Sequence, residues 1–533
     1  MNPAGTRIVA KGRPFLWFQN HVSTIVEGQD ATTMRSLATG VTAIQLTVCL
    51  AAGLTQVMLY GDGAYFVYSL SVGQPWVLKW RDIAARATTY VLTVAPTMWI
   101  ADKLDLSPLT IASLNGFVFY LVPLIQFAIA CALVWRSHPK FLIFPVAQYA
   151  LTSAMGFGYP SEILLSPGFL WIALFCILKN NAVGIAFFVS FLALVFSHEL
   201  AVAAAIIVAY LAVEQVRSED RTAGSHWRFA IMLSVVVFAI TALVVIRAAG
   251  GGVGSNSNAI YVIDPRRVFN NPTYWVLTAV LGVTILSAAR FGMWWKSRTA
   301  FVAFIVTVAG LPFLLQSVFP SLNFDHGRYD SARSIIGLMM LTLTFCFAAC
   351  ATAARAQLQN NQSSAASRPW ARIAPVVLTS GMAVSVGSDA VFLRDWTIAQ
   401  RGLANVVGTA QSGASQQFVS YVQARQSMRT DEARANDRME FDWVLPFRSI
   451  VVANGKIPGR IVYGDADLHN FCELQKSATF KQAAVPLIVV ENMQEFSCTH
   501  QGPPEPNTIS KEILSNVRKF LARFVGETQA KSH

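Results

Sequence analysis

Long apolar runs constrain this chain more than any other feature. A helix needs roughly 17 to 25 apolar residues to cross the hydrocarbon of a bilayer, and runs of that kind recur from residue 38 to residue 391. They fall near 38–58, 111–135, 141–158, 164–178, 181–197, 199–214, 229–248, 274–290, 299–318, 334–353 and 372–391. That makes about eleven crossings. A backbone inside hydrocarbon must satisfy its own hydrogen bonds, so each run is expected to be a helix. Composition agrees: 54% of the chain is hydrophobic and 13% charged, against about a quarter charged in soluble proteins. The expected fold is an α-helical polytopic membrane protein. A net charge of +12 raises the question of nucleic acid. The basic residues sit mostly in short loops between spans, where they orient a protein in its membrane, and no nucleic-acid-reading motif accompanies them. No nucleic-acid partner is expected.

The loops set the topology. With the N-terminus inside, sixteen Lys and Arg fall on inner segments and nine on outer loops before the tail, which matches the positive-inside bias. Residues 1–37 carry Arg7, Lys11 and Arg13 without an apolar h-region, so they read as a cytoplasmic lead-in rather than a signal peptide. Residues 38–391 then form the transmembrane domain, with a long first outer loop at 59–110. Within that loop, Ala87–Ile100 is apolar but short and interrupted by Pro96. It is expected to lie at the interface as an amphipathic helix.

Residues 392–533 are more polar and are expected to form a small α/β soluble domain on the outer side. Gln416–Ala433 reads as a polar helix, while Ser449–Val452, Arg460–Tyr463 and Val485–Val490 read as strands from their β-branched content. Ser510–Val525 has helical spacing. Five cysteines lie in apolar runs as small core residues. Cys472 and Cys498 are the two in the polar region and suggest a disulfide in an oxidising compartment. A bacterial inner membrane with a periplasmic C-terminus fits this arrangement.

On this topology the unusual polar residues collect on the outer face. Asp62 stands between Gly61 and Gly63 just after the first span. Glu162 follows Tyr159-Pro160-Ser161 in a tight turn, and Ser197-His198-Glu199 makes another. A glycine-rich stretch at 250–252 leads to Asp264-Pro265-Arg266-Arg267, and Asp325-His326-Gly327-Arg328-Tyr329-Asp330 runs on to Arg333. Each has a plain structural reading as a helix end, a solvated turn or an ion-paired loop. His198-Glu199 is not a zinc-protease signature, since no second His follows four residues later. The adjacent Arg266 and Arg267 run against the positive-inside bias and suit a phosphate, as do Arg328 and Arg333, with Tyr329 adding an aromatic contact. Asp325 and His326 are a candidate, two-residue site for a divalent metal such as Mg or Mn. Ionisable groups near a membrane are costly and are kept where they pair or work.

A carboxylate, several arginines and many aromatics on one membrane face suit a lipid-anchored, phosphorylated sugar donor. The arginines would hold the lipid phosphate, and the carboxylate would take the proton of an attacking hydroxyl. The layout resembles the GT-C class of integral-membrane glycosyltransferases over roughly residues 38–353. The resemblance rests on Gly61-Asp62-Gly63-Ala64-Tyr65 after the first span, the interfacial segments of the 59–110 loop, and Arg328-Tyr329. It implies Asp62 as catalytic base, a polyprenyl-phosphate sugar as donor, and a glycan, lipid or protein as acceptor, with membrane lipids around it. A clean paired-acid motif beside Asp62 is lacking. Two other functions compete: a transporter or flippase for a lipid-linked or anionic solute, and a non-enzymatic membrane scaffold.

Overall fold

The computed structural model describes residues 19, 22–71, 87–158, 161–179, 184–198, 200–219, 233–237, 239, 265–291, 296–325, 328–360, 369–408, 417–439, 444–454, 456 and 458–464. Within them the chain is a polytopic helical protein with one minimal sheet. In order the helices are α1 (Ala31–Thr55), α2 (Asp62–Ser71), α3 (Ala95–Leu104), α4 (Pro108–Val134), α5 (Ile143–Gly156), α6 (Ser166–Leu178), α7 (Ile185–Val195), α8 (Ala201–Glu219), α9 (Pro272–Phe291), α10 (Arg298–Val318), α11 (Arg328–Asn360) and α12 (Pro369–Val407). Their starts follow local chemistry. The Asp30 carboxylate accepts from the Thr33 amide at 2.8 Å to cap α1, the Ser297 side chain caps α10, and Pro108, Pro272 and Pro369 open α4, α9 and α12, where a missing N–H costs nothing.

Among the described residues, five helices are long and apolar enough to cross a membrane: Ala31–Thr55, Pro108–Val134, Arg298–Val318, Ser331–Ala351 within α11, and Ala371–Val407 within α12. They mark an integral membrane protein. Shorter apolar helices occupy Glu162–Leu178, Ile185–Val195, Ala201–Val216 and Pro272–Ala288. Apolar side chains such as Leu50, Leu54, Ile185 and Val306 lie on the outside of the bundle, a surface suited to lipid rather than water. Hydroxyls inside the apolar helices bond back to carbonyls four residues earlier, as at Thr42, Thr152 and Thr284. This keeps those hydroxyls satisfied without water. Of the expected runs, 229–248 is helical where described, at 233–237 and 239.

Helix α12 is the axis of the molecule. It packs on α10, α5, α9 and α1 within the bundle and on helices of the C-terminal region beyond it. Its 39 residues reach about 58 Å, roughly twice the hydrocarbon thickness. The helix therefore continues unbroken through residue 391, where a boundary is expected from the fall in hydropathy. Phe392, Trp396, Ala399 and Leu403 carry its buried stripe onward. Close helix approach depends on glycine. A Cβ on Gly387 would lie 2.1 Å from the Ala309 carbonyl oxygen of α10, and one on Gly116 would lie 2.7 Å from the Ala52 carbonyl oxygen of α1.

After α12 come β1 (Gln417–Ser420), α13 (Tyr421–Gln426), α14 (Thr430–Arg438), α15 (Leu445–Val452) and β2 (Arg460–Tyr463). β1 and β2 pair in parallel, Gln417 opposite Arg460, and such pairing needs a crossover, here made by the three helices. Two sequence expectations are corrected. The helix expected over 416–433 is a strand followed by two helices, because a capping box at Ser420 and Gln423 starts a helix at Tyr421. The strand expected at Ser449–Val452 is the second half of α15. Its β-branched residues yield to packing, since Phe447 meets Tyr68 of α2 at 5.1 Å between ring centroids. The strand expected at 485–490, the helix at 510–525, and Cys472 and Cys498 lie outside the described residues. The remaining five cysteines are free thiols, four of them buried.

The helical stretch over 87–104 contains a π-turn at Tyr90–Val94. It buries Thr89, Thr93, Thr97 and Ala101 on one face while Trp99 is 65% exposed. Its start is tied to the end of α7, with the Thr88 hydroxyl donating to the Ala193 carbonyl at 2.9 Å.

Candidate functional site

The Asp62 turn is shaped by its neighbours. Gly61 takes a left-handed backbone (φ 55°), which a side chain disfavours, and this turns the chain directly into α2, whose first residue is Asp62. Tyr60 is buried and packs edge-on against Phe392 at 5.0 Å and Trp396 at 5.8 Å. The Trp396 indole donates to the Thr55 carbonyl at 2.9 Å, fixing the end of α1. On its other side α2 is held by α15. The backbone at Asp62 is thereby pinned between α12 and the C-terminal helices.

Phe392 is the meeting point for two further segments. Phe157 contacts its ring edge-on at 6.1 Å. Gly158 has φ 77° and would place a Cβ 2.3 Å from the Phe392 ring, so glycine alone fits there. The Arg328 guanidinium lies over the same ring, 4.6 Å from its centroid. Arg328 is fully buried. Its Nε donates to the Phe157 carbonyl at 3.0 Å, Nη1 to the Ser388 hydroxyl at 3.4 Å, and Nη2 to Asp389 in a close ion pair. Ser388 in turn bonds the Thr273 hydroxyl at 2.8 Å. All three guanidinium nitrogens therefore face protein acceptors. These contacts make Arg328 a clamp joining α11, α12, α9 and the end of α5.

The other expected residues surround this clamp. Glu162 is fully buried in the turn before α6 and accepts from the Ser161 hydroxyl at 3.3 Å. His198 is also buried. Its Nδ1 accepts from the Leu200 amide at 3.2 Å, which assigns the ring proton of the neutral form to Nε2. Ser166 and Ser197 hydroxyls lie 2.7 Å apart and join these two turns. Arg266 and Arg267 sit on a 3-10 turn at Pro265–Asn270, Arg266 exposed and Arg267 half-buried. That turn is tied to α11 by the Ser331 hydroxyl donating to the Arg267 carbonyl at 2.7 Å. Arg333 is half-buried on α11. Tyr329 begins α11 beside Arg328. Glu199 and His326 lie outside the described residues, as does the glycine-rich stretch at 250–252. Within the described parts the structure brings the Asp62, Glu162, His198, Arg266–Arg267 and Asp325–Arg333 segments to one end of the bundle.

Asp325 is the unusual member. It is fully buried, its amide donates to Asn323 Oδ1 at 3.0 Å, and neither carboxylate oxygen has a hydrogen-bond partner among the described residues. Burial pushes its pKa up to about 7, against the pull of Arg328, with Asp395 adding to the rise. A second charged group lies beyond it. Asp395 pairs with Arg438 at 2.6 Å and Arg394 at 2.7 Å and accepts from Gln316 at 2.9 Å. His326, its partner in the expected metal pair, lies outside the described residues. No group of three or more acidic, His or Cys side chains stands together among the described residues, and Mg or Mn needs several oxygen ligands.

Several residues were not singled out from the sequence. Asp389 and Asp395 sit in the last apolar run and just beyond it, and a carboxylate in such a place is itself the signal. Arg448 is buried over the Trp396 ring at 4.7 Å and donates to Gln400 at 2.6 Å. Burial lowers its pKa to about 10, which leaves it cationic at neutral pH. Nothing in the local sequence around Arg448 distinguishes it from a surface arginine. Comparison with protein families, with curated proteins and with solved structures finds no match to this chain.

Proposed function

We propose that this chain is a membrane glycosyltransferase, of inverting GT-C type, that moves a sugar from a lipid-phosphate donor to a glycan, lipid or protein acceptor. The observation that carries this reading is the convergence of five polar segments, first among them the pinned Asp62 turn, on one end of an apolar bundle. In the reaction the acceptor hydroxyl attacks the anomeric carbon and gives its proton to Asp62. The bond from that carbon to the phosphate oxygen breaks, and the lipid phosphate leaves with its charge held by Arg266, Arg267 and Arg333. Arg328 positions the site through Phe157 and Phe392. The topology belongs to the same proposal: about eleven crossings, a cytoplasmic N-terminus, and an outer C-terminal region with a Cys472–Cys498 disulfide, in a bacterial inner membrane. The test is transfer of labelled sugar from synthetic polyprenyl-phosphate donors by the protein in nanodiscs. Asp62→Asn is expected to lower the rate at least about a hundredfold, and a variant rate within about threefold of wild type would remove Asp62 from the chemistry.

A transport reading draws on one observation of its own. Asn115 and Gln126 of α4 and Gln148 of α5 are buried among apolar helices with side-chain polar atoms that lack partners among the described residues, as groups lining a solute path would be. Movement of a lipid-linked sugar across vesicles that hold no acceptor would favour it.

A further inference from the structure

At the end of the bundle opposite Asp62, α1, α4 and the end of α6 enclose a groove of about 560 Å³, within the range of small-molecule sites. Ala38, Ala128, Ala132 and Leu133 make apolar walls, while Thr39, Ser137, Arg136 and Lys179 make a polar mouth. Among the described residues, four cations stand on the segments that frame the groove, and two are already engaged. Arg35 donates from Nε and Nη2 to the Trp135 carbonyl at 3.1 and 3.0 Å and lies over the Trp135 ring. Lys140 donates to the Glu27 carbonyl. Arg136 and Lys179 line the groove, are exposed, and make no ion pair or hydrogen bond with a described residue. No carboxylate lines the groove; of the acids at this end, Asp30 caps α1 through Thr33, and Glu27 lies on the side of Cys350 in α11.

An apolar trough ending in two uncompensated cations, beside an interfacial Trp, has the chemistry of a phospholipid with a net negative headgroup. We propose that this groove is a binding site for an anionic phospholipid, with the phosphodiester on Arg136 and Lys179 and an acyl chain along Ala128 and Ala132. The site is independent of the glycosyltransferase reading, which concerns the other end of the bundle.

The test is native mass spectrometry of the purified full chain titrated with phosphatidylglycerol or phosphatidylcholine. A basic residue at a membrane surface contributes about fivefold in affinity for anionic lipid, so wild type is expected to prefer phosphatidylglycerol by about tenfold or more. Arg136→Gln with Lys179→Gln is expected to abolish that preference, and Ala128→Trp, which fills the groove without touching charge, to abolish phosphatidylglycerol binding. Arg401→Gln, an exposed cation at the other end of the molecule, is expected to leave both unchanged. Equal binding of the two lipids by wild type, or a preference that survives the double substitution, would overturn the proposal and leave the two cations as orienting charges only. Displacement of phosphatidylglycerol by inorganic phosphate would overturn it in favour of a soluble-anion pocket.

Discussion

At the scale of residues, two buried charges carry the strongest expectations. Arg328 and Asp389 compensate each other inside the bundle, and removing one leaves the other buried and unpaired. Arg328→Gln or Asp389→Asn should therefore each destabilise the protein by about 3–5 kcal/mol. Replacing both with Met and Leu should recover much of that loss, as read from thermal unfolding in detergent; a double variant no better than the singles would contradict the pairing. Asp325 has the opposite character. Its folded pKa of about 7 lies above the ordinary 3.8, so the folded state holds its proton more tightly than the unfolded one. The stability that goes with this is present at low pH and is lost as pH rises from about 4 to about 7. Asp325→Asn should leave the unfolding temperature near that of wild type at pH 4.5 and raise it at pH 8. An equal effect at both pH values would show that Asp325 does not titrate in this window. The sequence made Asp325 and Arg328 visible as charges near a membrane, but not their state. Which of the two would be clamped by Asp389 and which left without partners depends on contacts 60 residues and more away, beyond any local pattern.

At the scale of elements, the packing of α12 against its neighbours is set by small residues. Gly387 allows the α10 backbone to approach, whereas Gly282 of α9 has nothing within 4 Å of a Cβ position. Ala is the better helix former by up to about 1 kcal/mol. Gly282→Ala should thus be neutral or slightly stabilising, while Gly387→Ala should destabilise by about 1–3 kcal/mol. Equal effects at the two positions would show that α10 and α12 do not cross at Gly387. Hydropathy exposed the apolar helices well because length and composition are read directly from residues. It did not reveal that α12 runs on through residue 391, since an amphipathic stripe of Phe392, Trp396, Ala399 and Leu403 is too sparse to raise the local mean. The segment Ser449–Val452 looks like a strand in the sequence for a related reason. Four β-branched and small residues carry no period, and the contact of Phe447 with Tyr68 decides their conformation.

At the scale of the molecule, the long helix α12 joins the end of the bundle that holds the polar segments to the C-terminal helices, which pack on α2 and α4. Asn454 accepts from the Leu109 amide at 3.1 Å at the start of α4, and α15 packs on α2, so the C-terminal helices and the Asp62 turn lie at the same end of the bundle. Single cysteines at Ser137 and Arg401, in a background lacking Cys472 and Cys498, should label with an impermeant maleimide from opposite sides. Labelling of both from one side would overturn the topology. The most direct test of the central claim is mass spectrometry of glycans and glycolipids from cells lacking this protein, complemented with wild type or Asp62→Asn. The account predicts that a defined sugar disappears, that its lipid-linked donor accumulates, and that wild type alone restores the sugar. Full restoration by Asp62→Asn, or no change in any glycan on loss of the protein, would contradict it.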